Sequence, residues 1–99
     1  MTGLGDKLGN ETFMFALRTD LDALPLQEET NVDYKSKHDG MAHSCGHDGH
    51  MTILTATLEQ VLQKITDIPS NYTIRFLYQP AEEGMGGAEL MIKEGCLTN

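Results

Sequence analysis

Apolar and polar positions divide the chain into two strand-like and two helix-like segments. Residues 12–19 are apolar almost throughout, with large side chains on both alternating faces. A strand that is apolar on both faces is typical of the buried centre of a parallel or mixed sheet. Residues 72–79 are rich in β-branched and aromatic side chains. They predict a second strand, which Pro80 would end.

Two helices are predicted, one between the strands and one after them. Residues 50–66 place apolar side chains at the spacing of one helical face. These are Leu54, Leu58, Val61, Leu62 and Ile65. Asp48 is suited to cap this helix, and Lys64 would complement the helix dipole in its last turn. A shorter helix is predicted from residue 88 onward, with Gly95 at the left-handed position that follows a helix.

The order of these segments predicts an α/β fold, a β-α-β unit followed by a second helix. In such a sheet the strands run parallel, and functional groups collect at their carboxyl ends. A polar loop at residues 26–42 precedes the first helix, and a loop of that length is usually functional or disordered. Residues 1–11 are rich in glycine and polar residues and read as a loose segment.

Composition and charge argue against some classes of binding partner. The chain has 99 residues, which suits one small domain, and a formal net charge of −8. Its seven basic residues are scattered, which argues against nucleic-acid binding. No apolar run approaches the roughly 20 residues of a membrane span. Two cysteines without a secretory signal do not make a disulfide framework, so we expect a cytoplasmic protein with no membrane partner.

The sequence HSCGHDGH at residues 43–50 gathers three histidines, a cysteine and an aspartate. Gly46 and Gly49 would each cost roughly 1 kcal/mol inside a helix, so a tight loop is the preferred interpretation. Thiolate and imidazole are ligands of zinc and its neighbours. A solvent-exposed polar role and a Cys–His nucleophile pair remain alternatives. His38 and His43 are expected to be non-ligands.

Oxygen donors follow both predicted strands. Asp20 and Asp22 follow the first strand, and Glu82 and Glu83 follow the second. Consecutive glutamates in an extended segment point in opposite directions. One of them could therefore bind a metal ion while the other stays free for proton transfer.

Three motifs, LRTDLDALP, HSCGHDGH and QPAEEG, resemble in order and spacing the metal-dependent amidohydrolases that cleave N-acyl amino acids. That group includes hippurate hydrolase, aminoacylase-type enzymes and plant auxin-conjugate hydrolases. The resemblance runs from about Phe13 to Gly95. It implies that the chain is the β-α-β-α portion of a three-layer, zinc-peptidase-like catalytic domain.

The resemblance also implies a role for each site residue. Cys45, His47 and Glu83 would bind a divalent transition metal, with zinc expected first and manganese or cobalt as alternatives. Glu82 would be the general base that takes a proton from metal-activated water. Asp22 would hydrogen-bond to a ligand from behind. Asp48 is a further candidate for such a supporting role. The expected substrate is a small N-acyl amino acid.

The chain also departs from the family pattern. Family members are longer and supply two further histidine ligands after QPAEEG, whereas all four histidines here lie between residues 38 and 50. We therefore expect residues 1–99 to form a partial catalytic domain without the inserted lid or dimerisation domain. The alternative function is an inactive portion of such an enzyme that binds metal weakly or needs another polypeptide. The exposed sheet edge would then favour self-association.

Overall fold

The computed structural model describes residues 12–98, so the loose segment expected at residues 1–11 lies outside the described residues. The elements are β1 (Phe13–Asp20), α1 (His47–Gln63), a short 3-10 helix (Ile65–Asp67), β2 (Tyr72–Gln79) and α2 (Gly87–Lys93). This confirms the predicted α/β fold and its order of strands and helices. Within residues 12–98, no helix is long and apolar enough to cross a bilayer.

The two strands pair in parallel along their whole length. The register joins Phe13 to Tyr72 at one end and Asp20 to Gln79 at the other. Aromatic packing supports the start of the pairing, since the Phe13 and Phe15 rings stack on Tyr72 with centroids 5.1 and 5.9 Å away. Because no residue is skipped in the register, both carboxyl ends finish at one edge of the sheet.

The helical segments contact opposite faces of the sheet. Thr55 of α1 forms a 2.8 Å hydrogen bond with the Tyr78 hydroxyl of β2. Arg75 of β2 donates instead to the backbone carbonyls of Cys96 and Thr98, beyond α2. Tyr78 and Arg75 are three positions apart in one strand, so their side chains point to opposite faces. The sheet therefore lies between two helical layers, which agrees with the three-layer expectation.

Helix α1 begins three residues earlier than predicted. Gly46 adopts a left-handed conformation with φ of 86°, and the chain enters the helix at His47. Asp48 lies inside the first turn and its side chain caps nothing, so the predicted Asp48 cap is wrong. Its charge still complements the helix dipole there. Lys64 follows the last helical residue as the C-cap and is not part of the final turn.

The predicted burial is only partly correct. Leu54 is 7% exposed, but Leu62 and Ile65 of the same stripe are exposed. Phe15 and Leu17 of β1 are 54% and 38% exposed, so the expectation that both faces of β1 are buried is wrong. Two strands and two helices present too little surface to cover both faces. Each strand pairs with one neighbour within residues 12–98, and association through the other edge stays a prediction.

The long polar loop before α1 is closed at its base. Leu24 and Ala42 form an antiparallel bridge, with N–H to O distances of 2.9 Å from Leu24 and 3.0 Å from Ala42. Higher in the loop, the Gly40 N–H donates to the Gln27 side-chain oxygen at 2.8 Å. Ala42 is buried at 3% exposure. These contacts give the loop a defined shape beside the start of α1.

Helix α2 ends as the sequence predicts. Gly95 adopts φ of 86°. Its N–H donates to the Ile92 carbonyl, and the Cys96 N–H donates to the Met91 carbonyl, both at 3.0 Å. This pair of bonds is the Schellman arrangement, which satisfies the last carbonyls of the helix.

Helix α2 starts against the end of β2 at a position where only glycine fits. A Cβ added at Gly87 would lie 1.7 Å from the Pro80 carbonyl oxygen. The Gly87 N–H donates to the Ala81 carbonyl at 3.2 Å. Gly87 therefore allows the close approach that folds residues 82–86 into a compact turn.

Replacing Gly87 by alanine should lower the free energy of unfolding by about 2 kcal/mol or more, because the backbone must move to admit the methyl group. Gly49→Ala is the matched control: nothing lies within 4 Å of its added Cβ. In α1 it should raise stability by up to about 1 kcal/mol. Urea unfolding of the metal-free chains measures both changes. Equal stability of the two variants would contradict the close approach at Gly87.

Candidate metal centre

Three polar segments meet at the carboxyl edge of the sheet. One follows β1 and carries Asp22, one leads into α1 and carries Cys45 and His47, and one follows β2 and carries Glu82 and Glu83. The parallel register brings the first and third segments together, because it ends both strands at the same level. The long loop returns the second segment to that edge. The three motifs therefore lie together at this edge, as the sequence predicted.

His47 is buried at 3% exposure and is held in one orientation. Its Nδ1 lies 3.0 Å from the backbone carbonyl oxygen of Asp22 and 3.2 Å from the Asp22 Oδ1. A carbonyl oxygen only accepts hydrogen bonds, so Nδ1 must carry the proton. In the neutral ring, Nε2 then keeps its lone pair. That atom lies 4.0 Å from Glu82 Oε2, on the side of the glutamate turn.

Asp22 joins the histidine to that turn. Its Oδ2 accepts a 3.1 Å hydrogen bond from the Glu83 backbone N–H. Its Oδ1 is buried, accepts no hydrogen bond within residues 12–98 and lies 3.2 Å from His47 Nδ1. The Glu83 hydrogen bond lowers the pKa of Asp22, against the opposing effect of burial. Asp22 is therefore an anion placed directly behind His47.

The predicted ligands lie together. One side-chain atom each from Cys45, His47 and Glu83 lies within 4.8 Å of the other two. A zinc ion holds such atoms about 2.0–2.3 Å from itself, so modest side-chain rotation brings the set onto one ion. Thiolate, imidazole and carboxylate donors with His47 Nε2 free suit a divalent transition metal. The residues present fit such an ion.

In the metal-free state, the surroundings raise the affinity of Cys45 and His47 for protons. The hydrogen bond to the Glu83 carboxylate raises the pKa of Cys45, and loss of solvent and nearby carboxylate charges raise it further. Burial lowers the pKa of His47. The Asp22 carbonyl and the charges of Asp22 and Asp20 outweigh that effect, so the pKa lies above its ordinary value. Metal binding would have to displace these protons, which makes affinity depend on pH.

A second donor group overlaps the first. Asp20, His47 and His50 also bring one ligand atom each within 4.8 Å of one another. The His47 and His50 rings stack with centroids 5.7 Å apart. Sequence reasoning named Asp20 as a possible oxygen donor but did not select it as a ligand, and it assigned no ligand role to His50, because it started the helix at residue 50. A helix starting at His47 places these two histidines three positions apart on one face.

The adjacent glutamates differ in their surroundings for a reason that the sequence did not reveal. The predicted extended alternation is wrong, because Ala81 adopts φ of 52° and residues 82–84 form a turn. Glu83 is tied at its backbone to Asp22 and at its side chain to Cys45. The Glu82 side chain is 43% exposed, and its Oε2 lies 4.0 Å from His47 Nε2. Glu82 makes neither of the two contacts that Glu83 makes.

Asp48 is exposed and stands apart from the ligand group. Its backbone carbonyl accepts a 2.8 Å hydrogen bond from Thr52. No hydrogen bond within residues 12–98 joins its carboxylate to Cys45, His47 or Glu83, so its supporting role stays a prediction. His38 and His43, expected as non-ligands, are exposed and belong to neither donor group.

This chain belongs to peptidase family M20/M25/M40, whose family model matches residues 16–99. It is 46% identical over 89 residues to hippurate hydrolase of Campylobacter jejuni, covering 90% of this chain and 22% of the relative. It is 49% identical over 76 residues to N-acetyldiaminopimelate deacetylase of Oceanobacillus iheyensis, covering 77% and 19%. The resemblance seen in the three motifs is thereby confirmed.

The fold has a close counterpart among solved structures. The YXEP protein of Bacillus subtilis, described as a dinuclear metal-binding peptidase of the M20 family, superposes with a TM-score of 0.79 at 39% identity. The match covers 91% of this chain and 24% of that one. The chain thus spans about a fifth to a quarter of the length of the relatives it matches.

Asp22→Asn should lower the pKa of His47 in the metal-free chain, because it removes the negative charge nearest to the ring. NMR titration of the His47 ring protons measures the change. Asp48→Asn, which removes an exposed charge nearby, should leave that pKa almost unchanged. The raised pKa of His47 in the folded chain also makes stability depend on pH. Protonation of His47 stabilises the fold fully below about pH 6.5, and this contribution is lost as pH rises through the pKa of His47 in the folded chain. An unaltered His47 pKa in Asp22→Asn would contradict this account.

Proposed function

We propose that this chain holds a divalent transition metal, with zinc first and manganese or cobalt as alternatives, in an enzyme that hydrolyses the amide bond of N-acyl amino acids. The observation that carries the proposal is the convergence of Cys45, His47 and Glu83, with Asp22 fixing His47. Family membership supports it. So do the names of two relatives, since hippurate and N-acetyldiaminopimelate both carry an N-acyl amide.

Each residue then has one task. A bound ion supplies Lewis acidity, which acidifies water and polarises the amide carbonyl. Cys45, His47 and Glu83 hold the ion, and Asp22 keeps the His47 proton on Nδ1 so that Nε2 faces inward. Glu82 takes the proton from water and later delivers it to the departing amine.

The assignment of the base to Glu82 follows from what each glutamate is already bound to. The Glu83 carboxylate lies within 4.8 Å of the Cys45 and His47 donor atoms and its backbone is anchored by Asp22, so its carboxylate belongs to the ligand group. Glu82 has neither contact, and its Oε2 lies 4.0 Å from His47 Nε2. A carboxylate beside the ligands but not committed to them is suited to move a proton.

The chain spans about a fifth to a quarter of the length of its relatives, and this supports the alternative that it is an inactive portion of such an enzyme. Three protein ligands suffice for one ion, so metal binding needs nothing beyond this chain. Turnover could still require another polypeptide, in which case residues 1–99 act as a partial catalytic domain that binds metal weakly. Four further expectations stay predictions. They are the small-molecule substrate, the exclusion of nucleic acid and membrane partners, self-association and a cytoplasmic location.

The cobalt-loaded chain should show a thiolate-to-metal charge-transfer band in its absorption spectrum. Cys45→Ser should abolish that band and weaken metal affinity by more than about tenfold, because it removes a ligand. Cys96→Ser is the matched control and should change neither, since Cys96 lies after α2 and belongs to neither donor group. A band that survives Cys45→Ser would exclude Cys45 as a ligand.

Wild-type chain loaded with zinc, manganese or cobalt should hydrolyse N-acetyl or N-benzoyl amino acids. Glu82→Gln should keep the metal but lower kcat by roughly a hundredfold or more, because it removes the base. Glu83→Gln should lose metal affinity. Metal content and turnover are measured on the same samples. No turnover by the folded, metal-loaded wild type would leave only the alternative function, and the reverse pattern in the variants would exchange the two roles.

A further inference from the structure

The second donor group, Asp20, His47 and His50, has the residue types of a metal site in its own right. One ligand atom from each residue lies within 4.8 Å of the other two. Two imidazoles and one carboxylate are donors that zinc and its neighbours accept. The proposed function uses the first donor group, Cys45, His47 and Glu83, so Asp20 and His50 remain without a task.

The His50 side chain is available for such a role. Among residues 12–98 no hydrogen bond holds its ring, which stacks on the His47 ring with centroids 5.7 Å apart. His50 is exposed, whereas His47 is buried at 3% exposure. A neutral imidazole keeps one nitrogen lone pair, so His50 can offer it to an ion that arrives from solvent.

Asp20 and His50 also line one depression between β1 and α1. Its volume is about 340 Å³, which is ample for the water that completes the coordination of an ion held by three protein ligands. Leu17, Ile53 and Leu54 give the depression apolar wall without competing donor atoms. An ion bound by the second donor group therefore has space beside it.

The Arg18 guanidinium restrains Asp20 without blocking it. Its Nη2 donates to Asp20 Oδ1, and its Nε donates to the Gln79 side-chain oxygen at 2.8 Å. Gln79 is buried at 6% exposure and pairs with Asp20 in the sheet register, so the guanidinium is held beside the carboxylate. Asp20 Oδ2 takes no part in this ion pair and can bind an ion. The positive charge of Arg18 repels a metal cation and should weaken that binding.

His47 cannot serve both donor groups at once. Its Nδ1 carries the proton that it donates to the Asp22 carbonyl, which leaves Nε2 as the nitrogen that can bind an ion. An ion coordinated by His47 therefore belongs either to the first donor group, with Cys45, or to the second, with His50. Because thiolate is a soft ligand that zinc prefers, the first donor group should take the ion while Cys45 is present.

We propose that Asp20, His47 and His50 form an alternative site for a divalent transition metal, which takes the ion when the Cys45 thiolate is removed. Arg18 is the positioning residue that holds Asp20 and keeps this site the weaker of the two. An ion there withdraws His47 from the first donor group. The effect on turnover rests on the proposed function, whereas the site itself does not.

The test measures zinc binding by calorimetry in Cys45→Ser, whose first donor group lacks the thiolate. Cys45→Ser/His50→Gln should bind zinc at least about tenfold more weakly, because it loses a ligand. Cys45→Ser/His43→Gln is the matched control and should keep the affinity, since His43 is exposed and belongs to neither donor group. Cys45→Ser/Glu83→Gln should change the affinity much less than His50→Gln does, because the alternative site does not use Glu83.

The part played by Arg18 is tested in the same Cys45→Ser background. Adding Arg18→Gln should tighten zinc binding by about fivefold, because the repelling charge is gone. Adding Arg18→Lys keeps the charge and should not tighten it. Equal zinc affinity of these two variants would overturn the role of Arg18.

Two results would overturn the alternative site: no measurable zinc binding by Cys45→Ser, or binding that His50→Gln leaves unchanged. The cobalt band of the wild type reports on the first donor group separately. A normal band with zinc binding that does not depend on His50 would reject this inference alone. Absence of the band, together with zinc binding by Cys45→Ser that does depend on His50, would reject the proposed function alone.

Discussion

The site depends on one residue, Asp22, which contacts both of the other segments that form it. Its carbonyl oxygen accepts from His47, 25 residues away, and its carboxylate accepts from the Glu83 backbone, 61 residues away. The first contact fixes which nitrogen of the histidine carries the proton. The second fixes where the glutamate turn stands relative to the histidine. Both are possible because the parallel register ends β1 and β2 level with each other.

Backbone conformation at a few positions then aims the donor atoms. Gly46, in the left-handed conformation, turns the chain into α1 at His47. Ala81, also at positive φ, turns the chain out of β2, and Gly87 lets α2 begin against Pro80. Side chains with the right chemistry would not converge without these turns. The close packing of backbone around the turn at residues 82–86 thus both stabilises the fold and positions the Glu82 and Glu83 side chains at the site.

Negative charge is concentrated at the carboxyl edge of the sheet, and it affects the pKa values of the metal-free site. The hydrogen bond to Glu83, burial and nearby carboxylate charges raise the pKa of the Cys45 thiol. Burial lowers the pKa of the His47 ring, but the Asp22 carbonyl and the charges of Asp22 and Asp20 outweigh it, so both groups hold protons more tightly than usual. A bound cation would replace those protons and offset the repulsion among the carboxylates.

The sequence by itself determined the order of strands and helices, the parallel pairing and the three motifs whose resemblance identified the family. Those features follow from local periodicity, from residue type and from the rule that consecutive parallel strands need a crossover. The tertiary structure decided where α1 begins, that residues 82–84 form a turn, and that Phe15 and Leu17 stay exposed. The helix start at His47 in turn places the His50 ring beside the His47 ring. These depend on left-handed backbone positions and on contacts between residues far apart in the chain, which local patterns do not encode.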